Sequence, residues 1–239
     1  SGKDSGVLLG AIPFYHVFGM ISVIATAALV GGTIAIVINA RDIPEVLGVI
    51  DKYKPRIFHG VPALYNAINV NDTVTSGTID LSSIEYCISG SAPLPAPTKT
   101  QFEAYSKGKL VEGYGMSEAP TATHTNPLNG ENRTGSVGLP LPDQLCKIVN
   151  AEDYHETIPQ GDIGEIAISG PQLMLYYHER PTATANTIVT DDDGRRWLLT
   201  GDIGYMDDDG YFHIVDRKKD MALIGGFNVY PNQVDQVLN

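Results

Sequence analysis

Cysteine is nearly missing from this chain: 239 residues contain two, Cys87 and Cys146. They stand alone, without Cys-x-x-Cys spacing, which excludes a disulfide framework and a zinc ribbon and suits a reducing compartment. The six histidines are scattered, with no zinc-like spacing. Basic residues are scarce too: 16 Lys and Arg against 28 Asp and Glu leave a net charge of -12. With no basic cluster to neutralise a phosphate backbone, nucleic acid is excluded as a partner. Repeats and low-complexity tracts are lacking, and the opening Ser-Gly-Lys-Asp-Ser-Gly shows neither a basic n-region nor a small-residue cleavage site. The expected location is cytoplasmic, with a membrane-peripheral position as the variant.

One long run lacks charge. Residues 17–38 could span a bilayer by length, yet Gly31-Gly32 interrupts them and Ala, Ser and Thr dilute them. Residues 33–38 are rich in β-branched side chains. The run therefore predicts a buried helix ending at the glycines and then a buried parallel strand, with no transmembrane span.

What is present is an ordinary globular composition, 43% hydrophobic and 18% charged, enough for one large or two smaller domains. The pattern predicts a helix over 44–54 with Pro44 in its first turn, a strand over 56–59, a helix over 62–69, a strand over 84–89, a helix over 97–106 and a strand over 110–112. This α/β succession predicts a parallel sheet covered by helices, with ligands bound beyond the carboxyl ends of its strands. After Gly130, short runs at 144–149, 164–169, 196–199, 204–206 and 211–215, separated by Gly, Pro and Asp, predict a small antiparallel β-barrel-like subdomain or sandwich. The expected division is 1–130, 131–217 and 218–239, the last closing on a helix-like 231–238 that suggests a truncated chain.

Two expected loops occupy the carboxyl ends of the strands. Ser89-Gly90-Ser91-Ala92-Pro93-Leu94-Pro95 reads as a turn capping a helix, or as a wall of backbone amides beside a base. Gly113-Tyr114-Gly115-Met116-Ser117-Glu118 offers close backbone approach, a stacking face, a hydroxyl for a phosphate oxygen and a carboxylate for a hard cation. It reads equally as an ordinary Gly-rich turn. Farther on, the turn Asp207-Asp208-Asp209-Gly210 predicts a hairpin that sets Asp202, before one strand, near Asp216-Arg217, after the next. That pair is either a surface ion pair or a patch where a carboxylate takes two sugar hydroxyls and a guanidinium donates beside it. Neither acidic turn is an EF-hand: alignment on Gly210 or Gly194 puts Tyr205 or Val189 at the first ligand position.

Seven segments follow one another in an order that resembles the adenylate-forming superfamily of acyl-CoA synthetases, luciferases and peptide-synthetase adenylation domains. They are Ile12-Pro-Phe-Tyr-His-Val-Phe-Gly19, Gly60-Val-Pro-Ala-Leu-Tyr65, the two loops above, Thr200-Gly-Asp202, Asp216-Arg-Lys-Lys-Asp220 and Gly225-Gly-Phe-Asn-Val-Tyr-Pro231. They cover essentially the whole chain, and the last looks most like fatty-acid ligases. The resemblance implies that Gly90, Ser91, Ala92 and Pro93, with Gly113, Tyr114, Gly115 and Met116, flank the adenine of ATP. Ser117 would touch phosphate, Glu118 would bind Mg2+, Asp202 would chelate the ribose hydroxyls and Arg217 would support them. His16 and Gly60 to Pro62 would line the acyl pocket, with His16 near the reacting carboxylate. Lys219 would be the hinge of a C-terminal lid, and Gly225 and Gly226 would lie along the CoA tunnel.

The implied reaction is attack of a small-molecule carboxylic acid on the α-phosphate of ATP, loss of pyrophosphate, and attack of the CoA thiol on the mixed anhydride. Such a site needs positioning and charge neutralisation rather than a covalent nucleophile. A homodimer is the assembly that the resemblance leaves room for. The phosphate loop expected upstream of Ile12 and the Lys expected late in the lid are both missing, so the chain is expected to be a fragment, inactive by itself. Amino-acid-activating relatives need an acid for the α-ammonium, and residues 11–20 hold none. An uncharged acyl chain is favoured; an amino-acid or aryl-acid adenylation domain and a non-catalytic nucleotide-binding module are the alternatives.

Overall fold

Helix starts and stops in the first part of the chain follow local chemistry. Asp42 accepts the N–H of Glu45 at 3.2 Å and Pro44 occupies the first turn, so the helix Ile43–Tyr53 begins there. The computed structural model describes residues 6–224 and 227–231, which fall into two units, Ser1–Gly135 and Ser136–Asn239.

The first unit runs β1 (Val7–Gly10), α1 (Val17–Gly19), a π-helical turn (Met20–Ala25), α2 (Thr26–Val30), β2 (Thr33–Ile36), α3 (Ile43–Tyr53), β3 (Ile57–Gly60), α4 (Pro62–Asn69), α5 (Asp72–Thr75), β4 (Tyr86–Ser89), α6 (Ala96–Ser106), β5 (Lys109–Met116) and β6 (Ala119–Thr125). Its strands lie in the order β2-β1-β3-β4-β5-β6. The first five are parallel, and β6 returns antiparallel to β5. One face packs Leu9, Phe58, Cys87 and Leu110 against α3, α4 and α6; the other packs Leu8 against Val23 and Ala27.

Tyr65 of α4 locks this unit. It is fully buried, with its ring 4.9 Å from Phe58 and 4.8 Å from Phe102. Its hydroxyl donates to the carbonyl of Phe58 at 2.9 Å and lies 3.2 Å from that of Ile88. A helix side chain thus ties together the carboxyl ends of β3 and β4.

Two expectations are corrected here. The strand after the glycines is parallel, as expected, but it is not buried: β2 has β1 as its neighbour at the edge of the described sheet, and Ile36 and Ile38 are 58% and 92% exposed. The strand expected over 110–112 is longer, because β6 supplies backbone partners that carry β5 on to Met116. No helix among the described residues is long and apolar enough to cross a membrane.

The second unit runs β7 (Leu139–Pro140), β8 (Leu145–Val149), β9 (Gly164–Ser169), α7 (Pro181–Thr187), β10 (Ile188–Thr190), β11 (Arg196–Met206), β12 (Phe212–Arg217), β13 (Ala222–Ile224) and β14 (Phe227–Val229). Its main sheet is antiparallel, in the order β10-β11-β9-β8, with β12 pairing farther along β11. All six residues of β9 are buried. The described strands do not close into a barrel. The two strands expected over 196–199 and 204–206 are one, because β11 keeps pairing by shifting register between Leu199 and Ile203. Asp207 closes the expected hairpin by accepting the N–H groups of Asp209 and Tyr211. Gly225, Gly226 and the helix expected beyond Pro231 lie outside the described residues.

Tyr65→Phe removes a donor from two buried carbonyls and is expected to lower stability by about 1–2 kcal/mol. A fall in the urea midpoint at constant slope is the readout. Burial also lowers His59 from the ordinary 6.5 to about 4, and His124 to about 3. The unfolded chain then takes up protons that the folded one refuses, so stability is complete above pH 6.5 and falls as the pH drops toward 4. Each of these histidines contributes about 1.4 kcal/mol per pH unit to that slope. His59→Phe should flatten the urea-midpoint profile over the window by one such share.

Candidate functional site

The carboxyl ends of β3 and β4 and the middle of β5 meet beneath the segment 90–95. Gly90 donates to the carbonyl of Gly60 at 3.2 Å. A Cβ on Gly90 would come within 3.2 Å of the Phe18 ring, so glycine leaves room for that ring. Gly90 is buried, residues 91–93 are exposed, and Leu94 is buried again. The segment is therefore an arch whose feet are packed and whose crest is open. Ser91 holds the left-handed region at φ 70°, a conformation costing about 1–2 kcal/mol that tends to mark built sites.

The expected loop 113–118 is corrected to a β-hairpin. Gly113 and Tyr114 pair with Thr125 and His124, Met116 pairs with Ala119, and only Ser117 and Glu118 form the turn. Tyr114 is half-buried, its ring 5.7 Å from that of His124. Thr121 takes a left-handed φ of 78° where the register shifts. The alternating Thr121, Thr123 and Thr125 were the signal for β6. As a result Tyr114 stands on a paired strand, Ser117 is exposed at the tip, and Glu118 is half-buried beside it.

Sequence reasoning missed Glu112, a buried carboxylate at the root of this hairpin. Its Oε1 accepts Leu94 N–H at 3.2 Å and its Oε2 accepts Gly135 N–H at 2.9 Å. Its carbonyl accepts Asn126 N–H at 2.9 Å, and Asn126 Oδ1 accepts Arg133 N–H at 2.9 Å. Glu112 thereby joins the arch to the hairpin, bringing the segments of Gly90 and Tyr114 together. A lone charge at the end of the apolar run Leu110-Val111 was the only sequence signal.

His16 is exposed rather than packed in the core, and its Nδ1 accepts the N–H of Phe18 at 3.1 Å, capping α1. An accepting Nδ1 places the proton of the neutral ring on Nε2. For a cation, Glu118 offers one carboxylate, and no group of three or more His, Cys, Asp or Glu forms a metal site among the described residues. One carboxylate fits Mg2+, which keeps waters and phosphate oxygens as most of its ligands.

In the second unit, Asp202 and Arg217 face each other as register partners on β11 and β12. They lie inside the strands, not before and after them, because both strands run on past the apolar residues that signalled them. Arg217 Nε is 3.6 Å from Asp202 Oδ1, with side-chain exposures of 63% and 12%. Such an ion pair adds little stability; its consequence is that a mostly buried carboxylate has a mostly exposed cation beside it. Asp202 N–H donates to Thr200 Oγ1 at 3.1 Å, and that hydroxyl donates to Ile166 carbonyl at 2.8 Å. The basic pair after β12 splits: Lys219 is exposed, while Lys218 bonds to the buried Glu165.

Residues 1–178 match the family described as AMP-binding enzyme. The chain is 42% identical to the long-chain-fatty-acid–CoA ligase of Bacillus subtilis (strain 168), covering 97% of this chain and 40% of that protein. Among solved structures, ATP-bound MatB from Rhodopseudomonas palustris superimposes with a TM-score of 0.85 at 31% identity, over 98% of this chain and 44% of that one. The anthranilate CoA ligase AuaEII in complex with anthranoyl-AMP gives a TM-score of 0.85 at 28% identity, over 99% and 44%. The chain thus spans less than half the length of the proteins it matches, and within that span it belongs to the AMP-binding enzyme family.

Proposed function

We propose that the whole protein is an ATP-dependent fatty acid–CoA ligase, which first adenylates a carboxylate and then passes the acyl group to the thiol of CoA. The observation that carries this reading is Asp202, a nearly buried carboxylate held in register with Arg217. A carboxylate with acceptor sites on both oxygens suits a vicinal diol, and the guanidinium can move to a sugar or phosphate oxygen. The likeness to a long-chain-fatty-acid–CoA ligase points to the acyl class, and the neighbour with anthranoyl-AMP points to a mixed anhydride as intermediate.

In this reading the arch 90–93 and Tyr114 flank adenine, the hairpin-tip hydroxyl of Ser117 donates to phosphate, and Asp202 takes the ribose hydroxyls. Glu118 would hold Mg2+, which neutralises phosphate charge when bound. His16, with its proton on Nε2, donates to an oxygen of the reacting carboxylate without taking its negative charge away. The carboxylate oxygen then forms its bond to the α-phosphorus as the bond to pyrophosphate breaks. In the second step the CoA sulfur bonds to the acyl carbon, AMP leaves with the former bond pair, and the thiol proton passes to solvent. Lys219 is the hinge between the two arrangements, and Gly225 and Gly226 belong to the CoA path. The 239-residue chain by itself is proposed to be inactive.

In the whole protein, Asp202→Ala should raise the KM for ATP in pyrophosphate exchange by about tenfold or more, the loss of one charge-assisted contact. An unchanged KM and rate would sink the ribose assignment. With the acid varied, long-chain fatty acids should support pyrophosphate release better than aryl acids or amino acids. Release with amino acids alone would favour an adenylation domain, and binding without release a non-catalytic module.

A further inference from the structure

One buried carboxylate of the second unit serves two segments at once. Glu165, on the fully buried strand β9, is 3% exposed. Its Oε1 accepts the N–H of Gly201 at 2.9 Å and its Oε2 accepts Lys218 Nζ at 3.0 Å. Lys218 Nζ also donates to the carbonyl of Ala151, and the Lys218 N–H donates to the carbonyl of Gly201 at 2.8 Å. Both backbone polar groups of Gly201 are therefore tied to this one ion pair.

The reason lies in the ladder. Pairing of β11 with β9 breaks between Leu199 and Ile203, and Gly201 turns through a left-handed φ of 71°. An N–H that leaves a ladder inside a protein needs another acceptor, and Glu165 reaches out from β9 to supply it. A carboxylate buried this deeply is offset by a nearby cation, and Lys218 supplies one at 3.0 Å. Asp202 follows Gly201 directly, while Lys218 lies between Arg217 and Lys219. Replacing a buried ion pair with apolar groups is often neutral for stability, so what Glu165 adds at this place is geometry.

We propose that Glu165 is a positioning residue that couples the ribose contact to the hinge: Oε1 holds the bulge beneath Asp202, and Oε2 anchors Lys218 one residue before the pivot. The proposal rests on reading Asp202 as the ribose ligand and Lys219 as the hinge. Loosening the Oε1 side weakens nucleotide binding in the first half-reaction. Loosening the Oε2 side leaves the start of the hinge unanchored and slows the second.

The test measures pyrophosphate exchange and thioester formation separately in the whole protein, with the unfolding midpoint alongside. Glu165→Gln is expected to raise the KM for ATP in exchange by about fivefold and to lower the ratio of thioester formation to exchange. Lys218→Met is expected to lower that ratio by about fivefold, and Lys218→Arg, which keeps the charge, to restore it. A merely structural pair would lower the midpoint and scale both half-reactions alike, with ATP KM unchanged; that result overturns the proposal. If Glu165→Gln does not fold, the Lys218 variants decide by the ratio alone. Asp202→Ala is the control: a normal ATP KM there overturns the ribose reading, whereas a raised one beside an unaltered Glu165→Gln overturns only the coupling.

Discussion

Glu112 accepts the N–H groups of Leu94 and Gly135, which no sheet ladder reaches, and Glu165 does the same for Gly201 in the other unit. A buried amide without a partner costs about 1–3 kcal/mol, and the segment 90–95 and the bulge at Gly201 each have a carboxylate behind them. Both glutamates sit on strands, where their own backbones are held by neighbours. The arch over the first sheet and the bulge in β11 thus inherit their shape from rigid elements. Tyr65 extends the same logic to the ends of β3 and β4, using a hydroxyl on a helix.

The two units place their chemistry differently. In the first, the candidate groups are mainly backbone and aromatic: an arch with an open crest, and Tyr114 on a paired strand. In the second, the candidate groups are charged side chains from adjacent strands, Asp202 and Arg217. Left-handed residues other than glycine occur beside the first group, at Ser91 and Thr121, a conformation that isolated peptides avoid.

Much of the fold was legible. Helix α3 reads from Pro44, α4 from Pro62, and the parallel strands from short apolar runs between them. The hairpin of β11 and β12 reads from Asp207-Asp208-Asp209-Gly210, and it does set Asp202 opposite Arg217. Less was legible where a strand passes through residues that favour turns. Gly113-Tyr114-Gly115 and Thr200-Gly201-Asp202 look like breaks because their local preferences are for loops. Pairing partners far along the chain override those preferences, through β6 in one case and β9 in the other. The edge position of β2 was illegible for a related reason: a β-branched run signals a strand, and burial depends on what lies beyond it.

Local physics determined most helix starts and the short apolar strands: apolar periodicity, Pro at helix starts and Gly in turns act over a few residues, so they are written in adjacent letters. By itself the sequence also determined which residues are candidates, since a carboxylate, an Arg and a Tyr carry their chemistry wherever they stand. Only the tertiary structure decided which of them act together. Glu165 meets Gly201 across 36 positions and Lys218 across 53, and Glu112 meets Leu94 across 18. Such pairings depend on strand order and on where a ladder shifts register, and both are settled by how sheets pack rather than by any short stretch of chain.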